Sequence, residues 1–599
     1  MDRENYKRKW KGGFEIKMSK NAESKICQNC KKEFIIDSED FNFYEKIEVP
    51  PPTFCPECRA IRRMTWRNER SLFYRNCDFS GDKIITMFHP DASVIVYDRD
   101  IWWGDEWDPT EYGVDYNFNK SFFEQYKELL SKVPLASLGN TNVINSPYGN
   151  HNADCKNCYL VYASFLNENV SYSQGASDLK DCIDTYSILK SEQCYEDVLC
   201  GSLYQTHFSY DSDESLNSWF LKSCVNCHDC IGCMNLRNKK YCVFNQQYSK
   251  EDYLRIKEKL NFGSYKNLTD FKNKYKNFIL KMPHRYACII KSFNATGDNI
   301  LNSKNVKNSF DIYGDMEDCK FVAHGLNAKD SYDCYGFSGG AHLLYEGVDM
   351  GIKGSNNFFS ILNHGSFDTH YTYMCYNSKN LFGCIGIRKG EYCILNKRYT
   401  KEQYEELVPK IIQHMNDMPY VDKNGRIYKY GEFFPSELSP FCYNETIAQE
   451  YFPLTKEQAL EQGYKWKDKE KRNYEIDIYN KDIPDNIKDV KEDIIGKVIE
   501  CEHKGTCNEQ CTEAFKIIES ELQFYKRMNL PLPHLCPNCR HYQRLKQRNP
   551  LKLWHRTCMC DKTNHYNHKG SCDVEFETSY APDRPEIIYC EKCYQQEIY

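Results

Sequence analysis

The chain has 599 residues, 41% hydrophobic and 15% aromatic, with 79 Lys+Arg against 85 Asp+Glu and a formal net charge of -6. A mean hydropathy of -0.72, with no apolar run near the ~18 residues of a membrane span, excludes a transmembrane protein. The near balance of charge excludes a polycation, so any nucleic-acid footprint must be local.

The first 22 residues read as a basic tail without the apolar stretch or cleavage site of a secretory signal, which points to a reducing cytoplasm. There the 32 cysteines are expected to serve metal, catalysis or packing rather than disulfides. A first module, residues 23–120, opens with Cys27-x2-Cys30 and Cys55-x2-Cys58, two short loops that each offer two thiolates to a tetrahedral zinc ion. The first pair should precede a hairpin. The second opens a helical run from Arg59 to Arg70, the layout of a treble clef or zinc ribbon. Four thiolates leave no open coordination position, so the site is expected to be structural.

Arg59, Arg63 and Arg67 are spaced four residues apart and share one helix face. Trp66 and Tyr74 interleave aromatic surface, a composition suited to RNA or single strands. A solvated face, or pairing with the protein's own carboxylates, is the plainer alternative. The helix macrodipole disfavours a cation at Arg59 in the first turn, so an anionic partner is expected, whether phosphate or carboxylate.

Residues 121–263 and 264–419 contain a duplication: Gly232-Cys233, Arg237, Tyr241-Cys242 and Asn245 return as Gly383-Cys384, Arg388, Tyr392-Cys393 and Asn396. Ser249 and Thr400 stand at helix N-caps, with Asp252 and Gln403 in capping-box positions. Upstream, Cys158, Val170, Cys182 and Cys194, and then Phe310, Phe321, Tyr332 and Leu343, mark a repeat of 11 to 12 residues. The pattern predicts two β-solenoid-like lobes with two repeats per coil of ~20 to 25 residues, each lobe closed by a short helix. Cys224, Cys227, Cys230 and Cys233 have the spacing of an iron–sulfur string, but they lie within this repeat and lack the Cys-Pro end. They are read as small core residues. Asp368, His370 and His364 are weak candidates for catalysis.

Residues 420–495 are rich in Lys, Glu, Asp, Tyr and Pro and read as an ordered connector that docks through its aromatics. Residues 496–599 repeat the first module: the Cys30 to Cys55 and Cys55 to Cys77 spacings recur from Cys511 to Cys536 and from Cys536 to Cys558, and Arg540, Arg544 and Arg548 answer the arginine stripe. Cys507, Cys511, Cys536 and Cys539 form the corresponding metal set, with Cys501 as a possible substitute for Cys507. Cys558, Cys560, Cys590 and Cys593 form a further set, with Cys572, His565 and His568 competing for one position. About three structural zinc ions follow. In the first module Asp98 and Ile101 stand where Cys590 and Cys593 do, so that second site is lost there, Cys77 is left over and Trp102, Trp103 and Trp107 can form a core instead.

Cys55-Pro-Glu-Cys-Arg with Arg67-Asn, Gly431-Glu-Phe-Phe-Pro through Tyr443-Asn-Glu-Thr, and Tyr580-Ala-Pro-Asp-Arg-Pro-Glu-Ile-Ile-Tyr-Cys resemble a group of uncharacterised multi-zinc-ribbon bacterial proteins. The resemblance covers nearly the whole chain, implies a cytoplasmic zinc protein and transfers no catalytic residue. The sequence thus predicts a multidomain, mainly β protein, two solenoid-like lobes flanked by treble-clef modules. The leading functional expectation is non-enzymatic binding of RNA or a ribonucleoprotein through the paired basic modules. The alternative is a scaffold that binds proteins or itself, and a β-helix enzyme comes third because no catalytic motif stands at a meaningful spacing.

Overall fold

The computed structural model describes residues 21–469, 474–563 and 565–598, so the basic tail read over 1–22 lies almost wholly outside the described residues. Among these residues no helix is long and apolar enough to cross a membrane. The chain divides into two compact units, one of residues up to 138, 287–467 and 551–553, the other of 139–286, 468–550 and from 554 onward. Each unit joins one terminal module to the repeat region distant from it in sequence. The divisions fall at 138, 286 and 467 rather than at 120, 263 and 419.

In the first unit, antiparallel strands Glu23–Ile26 and Glu33–Ile36 form a hairpin. Its turn carries Cys27 and Cys30, so this pair lies within the hairpin and not ahead of it. Helix Ser38–Lys46 starts at a reciprocal capping box of Asp37 and Asp40. Cys55 caps helix Pro56–Met64, and Pro56 takes the first position, where its missing N–H costs no helical bond. The helix stops at Met64 rather than Arg70 because tertiary bonds take over the backbone: the Ser439 hydroxyl donates to the Thr65 carbonyl at 2.7 Å and the Ile447 amide to that of Arg67 at 3.0 Å. A hairpin of Phe73–Asn76 with Lys83–Thr86 and helix Phe122–Leu130 follow.

Residues 289–398 form a parallel ladder within a 14-stranded sheet. Its register advances by 11 to 13 residues, as in Ile289↔Ile300, Gly297↔Ser309, Ala328↔Ala341, Tyr345↔Phe358 and Phe367↔Lys379. It ends in an antiparallel pair at Ile394 and Lys397 and in helix Lys401–Asp417, which has the Thr400/Gln403 capping box. The connector from 420 to 467 is ordered against this unit: Phe434 is fully buried between Trp66, Tyr126 and Tyr371, a contact worth roughly 1.5–3 kcal/mol for so large a side chain.

In the second unit the ladder is built almost entirely of single bridges, Thr141↔Ala153, Ala153↔Phe165 and Phe165↔Ser177 onward to Val225↔Arg237. The Ala153 amide donates to the Ser164 carbonyl, and the Ala153 carbonyl accepts from Leu166. Every third residue is left-handed, for example Asp178, Asp181, Asp184, Ser187, Lys190, Gln193, Glu196 and Leu199. With bridges between residues 12 apart and a left-handed residue at every third position, the step of this ladder is 12 residues and not 20 to 25. Each cysteine from Cys155 to Cys242, and from Cys319 to Cys393 in the other ladder, follows a left-handed residue and is buried. Cys158, Val170, Cys182 and Cys194 share one inward column. Phe310, Phe321, Tyr332 and Leu343 do not: Phe310 pairs with Ala323 and Tyr332 with Tyr345, while Phe321 and Leu343 are corners. Corner asparagines stack along the ladder, Asn145 donating to Asn157, Asn157 to Asn169 and Asn169 to Asp181.

Helix Lys250–Leu260, capped by Ser249, and helix Tyr265–Ile279 close this ladder. The C-terminal module packs on its flank, Tyr172, Tyr195 and Trp219 joining one core with Phe515, Leu522 and Tyr525. Strand Ile587–Tyr589 pairs in parallel with Pro283–Arg285.

Candidate metal centres

The sulfurs of Cys27, Cys30, Cys55 and Cys58 lie within 4.8 Å of one another, Cys30 and Cys55 at 3.7 Å. Thiolates ~2.3 Å from a tetrahedral ion stand ~3.8 Å apart, so the set has the size and donor chemistry of a four-thiolate zinc site. The Cys55 amide donates to the Cys27 sulfur and the Asn29 side chain to that of Cys58, both at 3.3 Å.

The second group is Cys501, Cys511, Cys536 and Cys539, with Cys501–Cys539 at 3.9 Å and Cys511–Cys536 at 4.0 Å. Cys507, expected here, is replaced by Cys501. Strand Ile499–Glu500 pairs with Ala514–Phe515, which puts Cys501 directly after a strand as Cys27 follows Ile26. Cys507 lies in the long loop between, with its sulfur 3.7 Å from Cys539 and beside His503 and Glu509. The signal in the sequence was an apolar strand ending in cysteine, obscured by the insertion.

The third group is Cys558, Cys572, Cys590 and Cys593, with Cys572–Cys590 at 4.0 Å. Cys572, read as a competitor, takes the place assigned to Cys560: the Cys558 amide bonds Val574 and the Cys572 amide bonds the Cys560 carbonyl, so hairpin pairing carries Cys572 alongside Cys558. Cys560 instead gathers with His565 and His568 within reach of Cys593. In the first module the corresponding place is filled by packing. Trp102 is fully buried and Arg388 stacks on Trp102 and Trp107 with its guanidinium carbon 5.2 and 5.1 Å from the two rings.

Cys224, Cys227, Cys230 and Cys233 are inward residues of the ladder, and each thiol donates to the carbonyl two residues earlier, as the serines of the same ladder do. They are not among the metal-sized groups of the described residues. Asp368, His370 and His364 do not converge: Asp368 accepts from Asn356, His364 faces Asp349, and His370 is held neutral, its pKa pushed down to about 4 by burial.

The arginine stripes are turned inward. Arg59 pairs with Asp333 at 2.9 Å, Arg63 with Glu346 at 2.7 Å and Arg67 with Asp349 at 2.5 Å. In the other unit Arg540 pairs with Asp184 at 3.2 Å and Arg544 with Asp184 at 2.8 Å, while Arg548 donates to the Tyr186 hydroxyl at 2.7 Å. Burial works against the charge of Arg59 and Arg540, and Asp333 and Asp184 outweigh it, holding both above the ordinary arginine value. Asp333, Glu346, Asp349, Asp184 and Glu196 are all left-handed corners. These six arginines, expected to meet nucleic acid, meet ladder carboxylates and a ladder tyrosine instead. The carboxylate alternative describes the geometry, because a corner aims its side chain outward from the rung at the helix that lies on it.

No protein-family model matches the chain, and no curated protein matches it.

Proposed function

We propose that the protein is a non-enzymatic scaffold that binds other proteins or copies of itself, with zinc ions stabilising its terminal modules. The observation that carries this reading is the inward turn of the two arginine helices: the modules use their basic residues on the ladders and serve as clamps, which leaves the ladder faces they do not cover as the extended surfaces. We read the ladders as β-solenoids, an architecture whose long faces suit partner binding. An open groove of about 1300 Å³ on the second ladder, lined by Phe293, Met316, Ala328 and Ala341 and flanked by Lys304, Lys329 and Glu317, supports the reading. Closed four-thiolate sites and abundant free thiols suit a cytoplasmic, structural use of zinc.

The test is light scattering and the 260/280 absorbance ratio of the full chain purified at low salt, with fluorescence anisotropy against single-stranded RNA oligonucleotides. A homogeneous assembly, or a stoichiometric protein partner, with no RNA affinity is the expected result. RNA binding that weakens steeply with salt, the mark of phosphate contacts, would restore the nucleic-acid reading and overturn this one.

A further inference from the structure

We propose that the C-terminal module holds two metal ions joined through the sulfur of Cys593. Two tetrahedral ions that share one ligand need seven donors in all, and the module supplies that number. One ion takes the sulfurs of Cys558, Cys572, Cys590 and Cys593; the other takes Cys560 and Cys593 with two imidazole nitrogens, from His565 and His568. The atoms of each set lie within 4.8 Å of one another.

The two histidines are oriented for this. His565 Nε2 is 2.8 Å from Glu597 Oε1, which fixes the proton on Nε2 and leaves the Nδ1 lone pair free, 3.4 Å from the Cys560 sulfur. A zinc ion with a thiolate at ~2.3 Å and an imidazole nitrogen at ~2.0 Å separates those atoms by ~3.5 Å. His568 is turned the other way: Nδ1 is 2.6 Å from the Gly570 carbonyl oxygen, so Nδ1 carries the proton and Nε2 is the free donor. Among the described residues His568 Nε2 is buried without a hydrogen-bond partner. An imidazole fixed by a carboxylate or a backbone carbonyl on one nitrogen, with the other aimed at thiolates, is the usual outer arrangement of a histidine zinc ligand.

Each half of the donor set has a distinct role. The sulfur-only set closes the hairpin Trp554–Thr557 with Glu575–Thr578 against the N-terminus of helix Glu591–Ile598. The mixed set ties the intervening loop to the same helix, whose Glu597 orients His565. Cys593 and Glu597 are one helical turn apart and lie on one face, so the helix presents both the bridging sulfur and the residue that orients its neighbour.

The inference rests on the first ion of this module being bound, and the test separates the two. The full chain, expressed with zinc, is assayed for zinc per chain by mass spectrometry of acid digests, as wild type and as the double variant His565→Gln, His568→Gln. A loss of one equivalent in the variant, the others retained, is expected, and an unchanged count overturns the proposal. Anomalous scattering at the zinc edge from crystals of the wild-type chain checks it without any variant: two peaks ~4 Å apart beside Cys593 are expected. A single peak overturns the second site alone, and no peak overturns the first ion as well.

Discussion

The backbone amide of Asp98 donates to the sulfur of Cys77 at 3.2 Å. The amide of Cys590 makes the same bond to Cys558 at 3.1 Å, so the first module keeps the hydrogen-bond frame of a metal site whose ligands it lacks. Burial pushes the Cys77 thiol up, and the amides of Ser80, Asp98 and Phe79 outweigh this and hold it below its ordinary value. Cys77→Ala is expected to leave zinc per chain unchanged, whereas Cys558→Ala lowers it by at least one equivalent. Elemental analysis of the two purified variants checks this, and equal losses would mean that Cys77 binds metal.

Arg544 is fully buried and faces both Asp184 and Glu196. Arg544→Met takes the arginine from Glu196 and leaves Asp184 to Arg540 alone, and is expected to cost about 3 kcal/mol, the low end of the usual penalty for removing one partner of a buried pair. Adding Glu196→Gln, which removes the carboxylate that has lost its arginine, should recover part of that loss. Urea denaturation of the single and double variants gives the coupling. A loss under 1 kcal/mol for the single variant would show that the clamp contributes little.

His207 is buried against Trp219, with ring centroids 4.5 Å apart, and burial pushes its pKa from 6.5 down to about 3, with Lys257 adding to the shift. The folded imidazole stays neutral while the unfolded one takes up a proton below 6.5. Its contribution is therefore complete above 6.5 and is lost as the pH falls toward 3, at ~1.36 kcal/mol per pH unit. Denaturation between pH 6.5 and 5 should show a slope shallower by about one proton in His207→Gln than in the wild type. Equal slopes would place the titration elsewhere.

Because the thiols of Cys224, Cys227, Cys230 and Cys233 donate to carbonyls as serine hydroxyls do, replacing all four by serine is expected to leave the metal content and the visible absorption spectrum unchanged. Loss of metal, or of a coloured species from anaerobically purified protein, would mean that this rung holds a cluster.

How far the sequence could be read follows from the range of each interaction. The set Cys27, Cys30, Cys55 and Cys58 was legible because each pair sits in a short local loop. So were the caps at Ser249 and Thr400, whose bonds span three residues. The 12-residue column through Cys158 and Cys194 was visible, but the corner at every third residue was not: left-handed positions usually favour Asn, Asp or Gly, and here Leu199, Phe208 and Phe220 occupy them too. The ladder's hydrogen bonds hold these residues in place whatever their side chains prefer. Cys501 and Cys572 were obscured because strand pairing, not spacing, selects them. The partners of Arg63 and Arg544 lie hundreds of residues away, so local composition left phosphate and carboxylate equally open.

The order of segments along the chain sets an order in time. Arg63 leaves the ribosome 283 residues before Glu346, a wait of roughly 15–60 s at the usual 5–20 residues per second. The first ladder, which begins after residue 138, waits in turn for Arg540 and Arg544. During synthesis the earlier module therefore holds a row of unneutralised guanidinium groups, the earlier ladder a column of unneutralised carboxylates, and both units close only late in translation. A nascent chain of this protein is a transient polyelectrolyte whose opposite charges belong to different final partners, and metal capture at Cys27 to Cys58 is a fastening available to it early.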